Sequence, residues 1–153
     1  MADAKTVYNT LIKMLDAHEW KYQRHDEDFV ITCGARGEDL PIDIILRVQP
    51  KPKVVQFISV LPCKMPEDKR VEGAIAVCAV NYGMIHGSFD YDLSDGEIRF
   101  RLTSSYLDSI IGEDMLYYML MLGASTVNEY NDRFLMLSKG LITIEQFLEK
   151  ENN

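Results

Sequence analysis

The 153-residue chain reads as an α+β protein, with the order α-β-β-β-α-β-β-α, a short extra C-terminal helix and a mainly antiparallel sheet packed by helices. Three observations predict this. A one-sided helical stripe opens the chain, and three stretches rich in β-branched and aromatic residues follow it. Farther on, the turn signal Asp95-Gly96 sits between two runs in which apolar and charged residues alternate.

From Lys5 to about His18, Val7, Tyr8, Leu11 and Leu15 recur at helical spacing with Met14 beside them, so one side of this helix covers something. "WKYQRHDEDFVITCG", "LPIDIILRV" and "KVVQFISVLPC" then read as three strands in a meander. Asp26-Glu27-Asp28, residues 34–39 and "QPKPK" are the turn-like interruptions, and the second hairpin closes at Pro50-Lys51-Pro52.

Pro66 opens a second helix: proline lacks an N–H that the first turn could not pair, and Glu67 and Asp68 oppose the helix dipole. It runs through "KRVEGAIAVCAVNY" to Gly83. Val71, Ala74, Ile75, Cys78 and Tyr82 form one stripe, while Val77, Val80 and Met84 lie nearly opposite, which predicts burial on two sides.

The stretch "GSFDYDLSDGEIRFR", residues 87–101, holds four carboxylates and two arginines. A type I′ turn at Asp95-Gly96 would set Leu93 against Ile98, Tyr91 against Phe100 and Phe89 against Leu102. On the other face Asp92 would meet Arg99 and Asp90 would meet Arg101, opposite charges at both rungs. A calcium loop starting at Asp90 would need glycine at its sixth position and glutamate at its twelfth; Asp95 and Arg101 stand there. The carboxylates read as the solvated face of a ribbon.

"GEDMLYYMLMLGASTVNEYNDRFLMLSKG" is a long third helix, with Glu113 and Asp114 in its first turn and Lys139 then Gly140 closing it. Residues 115–122 are apolar all round; later the pattern narrows to Val127, Tyr130, Phe134 and Leu137. Thr143 and Gln146 have capping-box spacing, and Ile142 and Phe147 fit a hydrophobic staple, so a short helix runs from Ile144 to about Glu151. No repeat, linker or low-complexity tract interrupts the chain, and residues 1–153 read as a single domain.

Net charge is -8, with 24 acidic against 16 basic side chains and no Lys/Arg-rich run, which argues against nucleic acid as a partner. Cys33, Cys63 and Cys78 are odd in number and far apart, the pattern of free, buried thiols in a reducing compartment. "MADAKTVYNTLIKML" lacks the basic and apolar regions of a signal peptide, and no stretch supplies the roughly 20 apolar residues of a membrane span. The chain reads as cytoplasmic, without membrane insertion.

Chemistry-bearing patterns are weak. His86 near Ser88 lacks a third group to orient the imidazole, and His18, His25 and His86 have no ligand spacing with each other or with cysteine. Gly34 and Gly37 in "CGARGED" lack the Lys-Ser/Thr of a phosphate loop, and "HDEDF" holds no two carboxylates at a catalytic separation. No catalytic residue, cofactor or metal ligand is expected. The remaining candidate is a partner-binding strip of Met115, Tyr117, Tyr118, Met119 and Met121. Such side chains are first of all core, yet a Met- and Tyr-rich helix is also what adaptable protein-binding surfaces use.

Asn81 near the end of the second helix, Gly87 and Phe89 entering a strand, Asp95-Gly96, Ile98 and Arg101 in the hairpin, and Tyr130 and Phe134 on the long helix form a pattern. Through these residues the chain resembles the YbjN domain family, over roughly residues 66–140. Before Pro66 the element order agrees. The resemblance implies a fold like that of type III secretion chaperones and a bacterial, non-enzymatic binding or regulatory module. Those chaperones are homodimers that hold partly unfolded client segments. A sheet with one helix layer per face leaves an apolar face on the second helix or on the start of the third for a second subunit, and a homodimer is expected. The reading is a chaperone-like module that holds an apolar, basic segment of a client protein. The alternatives are a small-ligand-sensing regulatory protein and a small enzyme with a pocket between sheet and helices.

Overall fold

A computed structural model describes residues 3–152. The helices are α1 (Ala4–Ala17), α2 (Arg70–Tyr82), α3 (Glu113–Ser138) and α4 (Ile144–Asn152). The strands are β1 (Tyr22–His25), β2 (Val30–Arg36), β3 (Pro41–Pro50), β4 (Lys53–Lys64), β5 (Ser88–Tyr91) and β6 (Glu97–Ser105). They form one six-stranded antiparallel sheet in the order β1-β2-β3-β4-β6-β5. The chain is α+β as the sequence predicts; α1, α3 and α4 lie within a residue or two of their predicted bounds, whereas Pro66 opens a 3-10 turn over Glu67–Lys69 and α2 begins only at Arg70.

Local chemistry explains the ends. The Asp3 carboxylate accepts from the Thr6 N–H at 2.8 Å and caps α1, which buries Val7, Tyr8, Leu11, Met14 and Leu15. At the end of α3 the Leu141 N–H donates to the Met136 carbonyl and that of Gly140 to Leu137, with Gly140 at φ +71. This double closure needs a left-handed residue, and glycine takes it without a Cβ clash. Thr143 and Gln146 exchange side chain-to-backbone bonds of 2.9 and 3.1 Å, the capping box that starts α4.

The first of the three predicted strands is in fact two. The chain turns back at residues 26–29, so β1 and β2 form a hairpin. Asp26 fixes that turn by accepting from the Tyr8 hydroxyl at 2.8 Å and from Arg24 Nε at 2.9 Å. Gly34, expected in a turn, lies inside β2 opposite Asp43.

Pleating divides the sheet into two unlike faces. Ile31, Ile44, Leu46, Phe57, Leu61, Ile98 and Phe100 share one face and one core with the helices. α3 crosses its centre, where a Cβ on Gly123 would stand 2.7 Å from the Phe57 ring. Phe57 is fully buried, and truncating it to alanine would cost about 3–5 kcal/mol. α1 packs beside α3, α2 lies by β5 with the Tyr91 hydroxyl donating to the Arg70 carbonyl at 2.8 Å, and α4 rests on α2 and α3.

Helices therefore cover one face, which corrects the expectation of a layer on each. The opposite face carries Arg47, Gln56 and Thr103, linked by bonds of 3.0 and 3.1 Å, and the ion pairs of the β5–β6 hairpin. Polar groups that satisfy one another can face water on an antiparallel sheet.

The hairpin register also differs from the prediction. Tyr91 pairs with Ile98, Asp90 with Arg99, Phe89 with Phe100 and Ser88 with Arg101. The connection spans residues 92–96 instead of two residues, because Asp92 and Asp95 turn their carboxylates onto the N–H groups of Ser94 and Glu97. Gly96, at φ +80, accepts from the Met65 N–H at 2.9 Å, and its backbone lies too close to Met65 for any Cβ. A shift of two residues keeps every side chain on its predicted face. It changes the partners: Asp92 does not meet Arg99, and Asp90 takes both Arg99 (3.0 Å) and Arg101 (2.8 Å).

Candidate protein-binding surfaces

α3 turns Leu116, Met119, Leu120 and Gly123 into the core, so the side chains between them point away from it. Of the five predicted strip residues, Met119 is 4% exposed and belongs to the core. Tyr117 is half-buried, its ring stacked on His18 at 3.7 Å and 5° where α1 meets α3. Met115, Tyr118 and Met121 remain exposed, Tyr118 at 50%. The edge of the His86 ring meets Tyr118 at 6.0 Å and 86°, which joins the loop after α2 to this strip.

α2 is buried on one side only, contrary to the two-sided burial its sequence predicts. Gly73, Ala76, Val77 and Val80 face inward; Gly73 leaves the space that the Tyr91 hydroxyl and Met65 occupy. On the outward side Val71 is 75% and Tyr82 95% exposed, with Ile75 and Cys78 between them. Ala74 and Ala79 complete an apolar groove of about 560 Å³. Cys78 is thus exposed and not a buried hydrophobe; Cys33 is half-buried and Cys63 buried, and burial pushes both thiols up to about 11.

A second groove, of about 290 Å³, runs between α2, α3 and α4 and is lined by Val80, Met84, His86, Leu122, Tyr130 and Glu151. A third, of about 370 Å³, follows the β5–β6 hairpin. Its carboxylates are engaged in structure: Asp90 with two arginines, Asp92 with Ser94, and Asp95 with Lys64 and the Glu97 N–H. Burial raises the Asp90 pKa, but the bonds from Arg101 and Arg99 outweigh it and hold the carboxyl below its usual range. Among the described residues, no three His, Cys, Asp or Glu side chains are placed to hold a metal ion.

Some features had no sequence signal. Ile85, next to His86, is almost fully exposed, and periodicity cannot mark a loop residue. Arg133, on α3, is buried over the rings of Phe147 and Tyr130 at 4.5 and 5.3 Å, a placement that only the arrival of α4 creates.

Comparison with known proteins adds to this geometry. The sequence model of the YbjN family, described as "Putative bacterial sensory transduction regulator", matches residues 8–136. The crystal structure of YbjN from E. coli, described as "a putative transcription regulator", superposes with a TM-score of 0.62 at 10% identity, over 81% of this chain and 87% of that one. A chain of the HopA1-SchA chaperone-effector complex superposes with a TM-score of 0.52 at 12% identity, over 86% of this chain and 98% of that one. At such identities these likenesses show the fold, which is that of type III secretion chaperones. Among curated proteins, none matches the sequence. Among the described residues no helix is long and apolar enough to cross a membrane. With its family's sequence model matched from Tyr8 to Met136, the chain belongs to the YbjN family.

Proposed function

We propose that the chain is a non-enzymatic, chaperone-like protein-binding module, one domain acting as a homodimer in the cytoplasm, that holds an apolar, net-basic segment of a client protein. The observation that carries this is the strip of Met115, Tyr118 and Met121, left outside a core that α3 otherwise fills. Flexible thioethers and an amphipathic ring can repack around different sequences. The net charge of -8 favours basic segments and hastens their encounter, an effect that weakens as salt rises.

The outward face of α2 suits a second copy. Val71, Ile75, Cys78 and Tyr82 follow the spacing of an interhelical seam, and Ala74 and Ala79 beside them let two backbones come close. The test is to identify proteins that co-purify from the native cell and titrate the partner against purified protein. Tyr118→Asp and Met121→Asp should weaken binding in a folded chain; unchanged binding by both would remove α3 from the client surface. Sedimentation should show a dimer that Ile75→Asp turns into a monomer, and a monomeric wild type at high micromolar concentration would refute the dimer.

A second reading, a regulator that senses a small ligand, is favoured by the groove between α2, α3 and α4, whose 290 Å³ lies near the lower end of ligand pockets. Native mass spectrometry of protein from its own cells would reveal such a ligand as an added mass.

A further inference from the structure

The seat of α4 has the chemistry of a docking site. Phe147 is the only fully buried side chain of α4 and inserts beside Phe134, ring centroids 5.2 Å apart. Arg133 lies over the Phe147 ring, donates from Nη2 to the Phe147 carbonyl at 3.0 Å, and pairs through Nη1 with Glu151 at 3.3 Å. α4 is thus recognised by an aromatic ring and by a carboxylate four residues later, one helical turn along the same face. Any amphipathic helix with that pair presents the same handles.

The hold is also separable from the rest of the fold. α4 has nine residues, too few for a helix that is stable without its seat. Its tether turns on Gly140, at φ +71. Residues matched by the family's sequence model stop at 136, before the tether begins. The seat is not fully used either: Arg133 Nε is buried without a partner, and the groove along Val80, Met84 and Leu122 stays open beside Glu151. A longer helix could extend into that space and gain apolar contact that α4 does not make.

We propose that this seat is an exchangeable helix-docking groove. α4 is its resident occupant, and an amphipathic helix of a protein partner, with an aromatic anchor and a carboxylate one turn later, displaces it. The inference rests on the protein-binding reading and assigns it a second contact, distinct from the strip on α3.

The test uses the full chain and a fluorescently labelled peptide of residues 141–153 as the probe. In wild type the tethered α4 competes at high effective concentration, so the peptide binds weakly. Phe147→Ala and Glu151→Lys each loosen the resident helix from opposite ends, and each should bind the peptide at least about tenfold more tightly than wild type does. A peptide carrying Phe147→Ala should fail to bind either variant. If both variants keep wild-type circular dichroism yet bind no more tightly, the seat is structural and the inference falls. Should either variant unfold, the other decides. That failure, with co-purified client still bound through Tyr118 and Met121, would leave the broader reading standing. Loss of the α3 contact with peptide exchange intact would do the reverse.

Discussion

The side-chain amide of Asn81 spans the backbone of Phe89, its Nδ2 donating to the carbonyl at 2.9 Å and its Oδ1 accepting from the N–H at 2.8 Å. The amide takes the place of a neighbouring strand on the free edge of β5 and ties the end of α2 to the sheet. It also removes one donor and one acceptor from an edge that could pair with another chain. Among side chains of this length only asparagine offers both groups on one short stem.

Asn81→Leu should therefore leave two half-buried backbone groups unpaired and cost roughly 1–3 kcal/mol. Asn81→Asp keeps the acceptor, loses the donor and should fall between the two. Urea unfolding checks this, and an unchanged midpoint for Asn81→Leu would mean that the clip contributes nothing.

Two pairs of glycines should behave in opposite ways. Gly96 and Gly87 have φ of +80 and +77, and a Cβ would press on the Met65 backbone or the Phe100 ring. Alanine there should cost about 1–3 kcal/mol or more. Gly83 and Gly112 have negative φ and open space around them, so alanine should be neutral or stabilising by about 0.4–1 kcal/mol. Thermal unfolding of the four variants separates the classes.

Asp90, and not Asp92, is the acidic centre of the hairpin. A double-mutant cycle on Asp90 and Arg101 should give about 0.2–1 kcal/mol, screened by solvent, and one on Asp92 and Arg99 nothing measurable. The folded Asp90 pKa lies below its unfolded value, so its contribution is present above about pH 4 and is lost as pH falls through the folded value. Asp90→Asn should flatten the acid limb of the stability profile; an identical limb would remove Asp90 from that role.

Thiol labelling should distinguish the cysteines. Burial pushes Cys33 and Cys63 up to about 11, so near pH 8 both stay protonated and shielded, while Cys78 is exposed. One thiol per chain should react quickly in dilute protein, and Cys78→Ser should abolish that phase. If α2 forms the dimer seam, the fast phase should slow as protein concentration rises.

Neighbouring positions on α3 should respond differently to the same change. Met119→Asp places a carboxylate in the core and should cost more than about 3 kcal/mol, whereas Tyr118→Asp should fold normally. Circular dichroism and urea unfolding of the two variants test this, and equal stability would mean that α3 is rotated from the position described.

The helices were legible because their signals are local. A glycine after the last apolar residue and Thr143 with Gln146 each act within one turn of chain and formed as predicted, and the proline followed by acids opens a 3-10 turn that leads into α2. The inward side of the hairpin was equally legible, since alternation fixes which face a side chain takes whatever its partner. Three of the strip residues are exposed, but periodicity alone could not choose them, because residues 115–122 are apolar all round.

Contacts distant in sequence decided much of the rest. The five-residue connection closed by Asp92 and Asp95 sets the hairpin register two residues from the one its turn signal suggested. The hydrogen bond from Met65 to Gly96 and the clip from Asn81 to Phe89 tie that hairpin to distant segments. Tyr8, from the first helix, closes on Asp26 and helps split one predicted strand into two. The sequence by itself determined the helices, the class of the fold and the apolar character of α2 and α3. Only the tertiary structure decided that all helices share one face of the sheet, and so which apolar stripe meets the core and which stays exposed. The reason is physical: caps and periodicity act over one or two turns of chain, whereas layering depends on which distant surfaces bury one another.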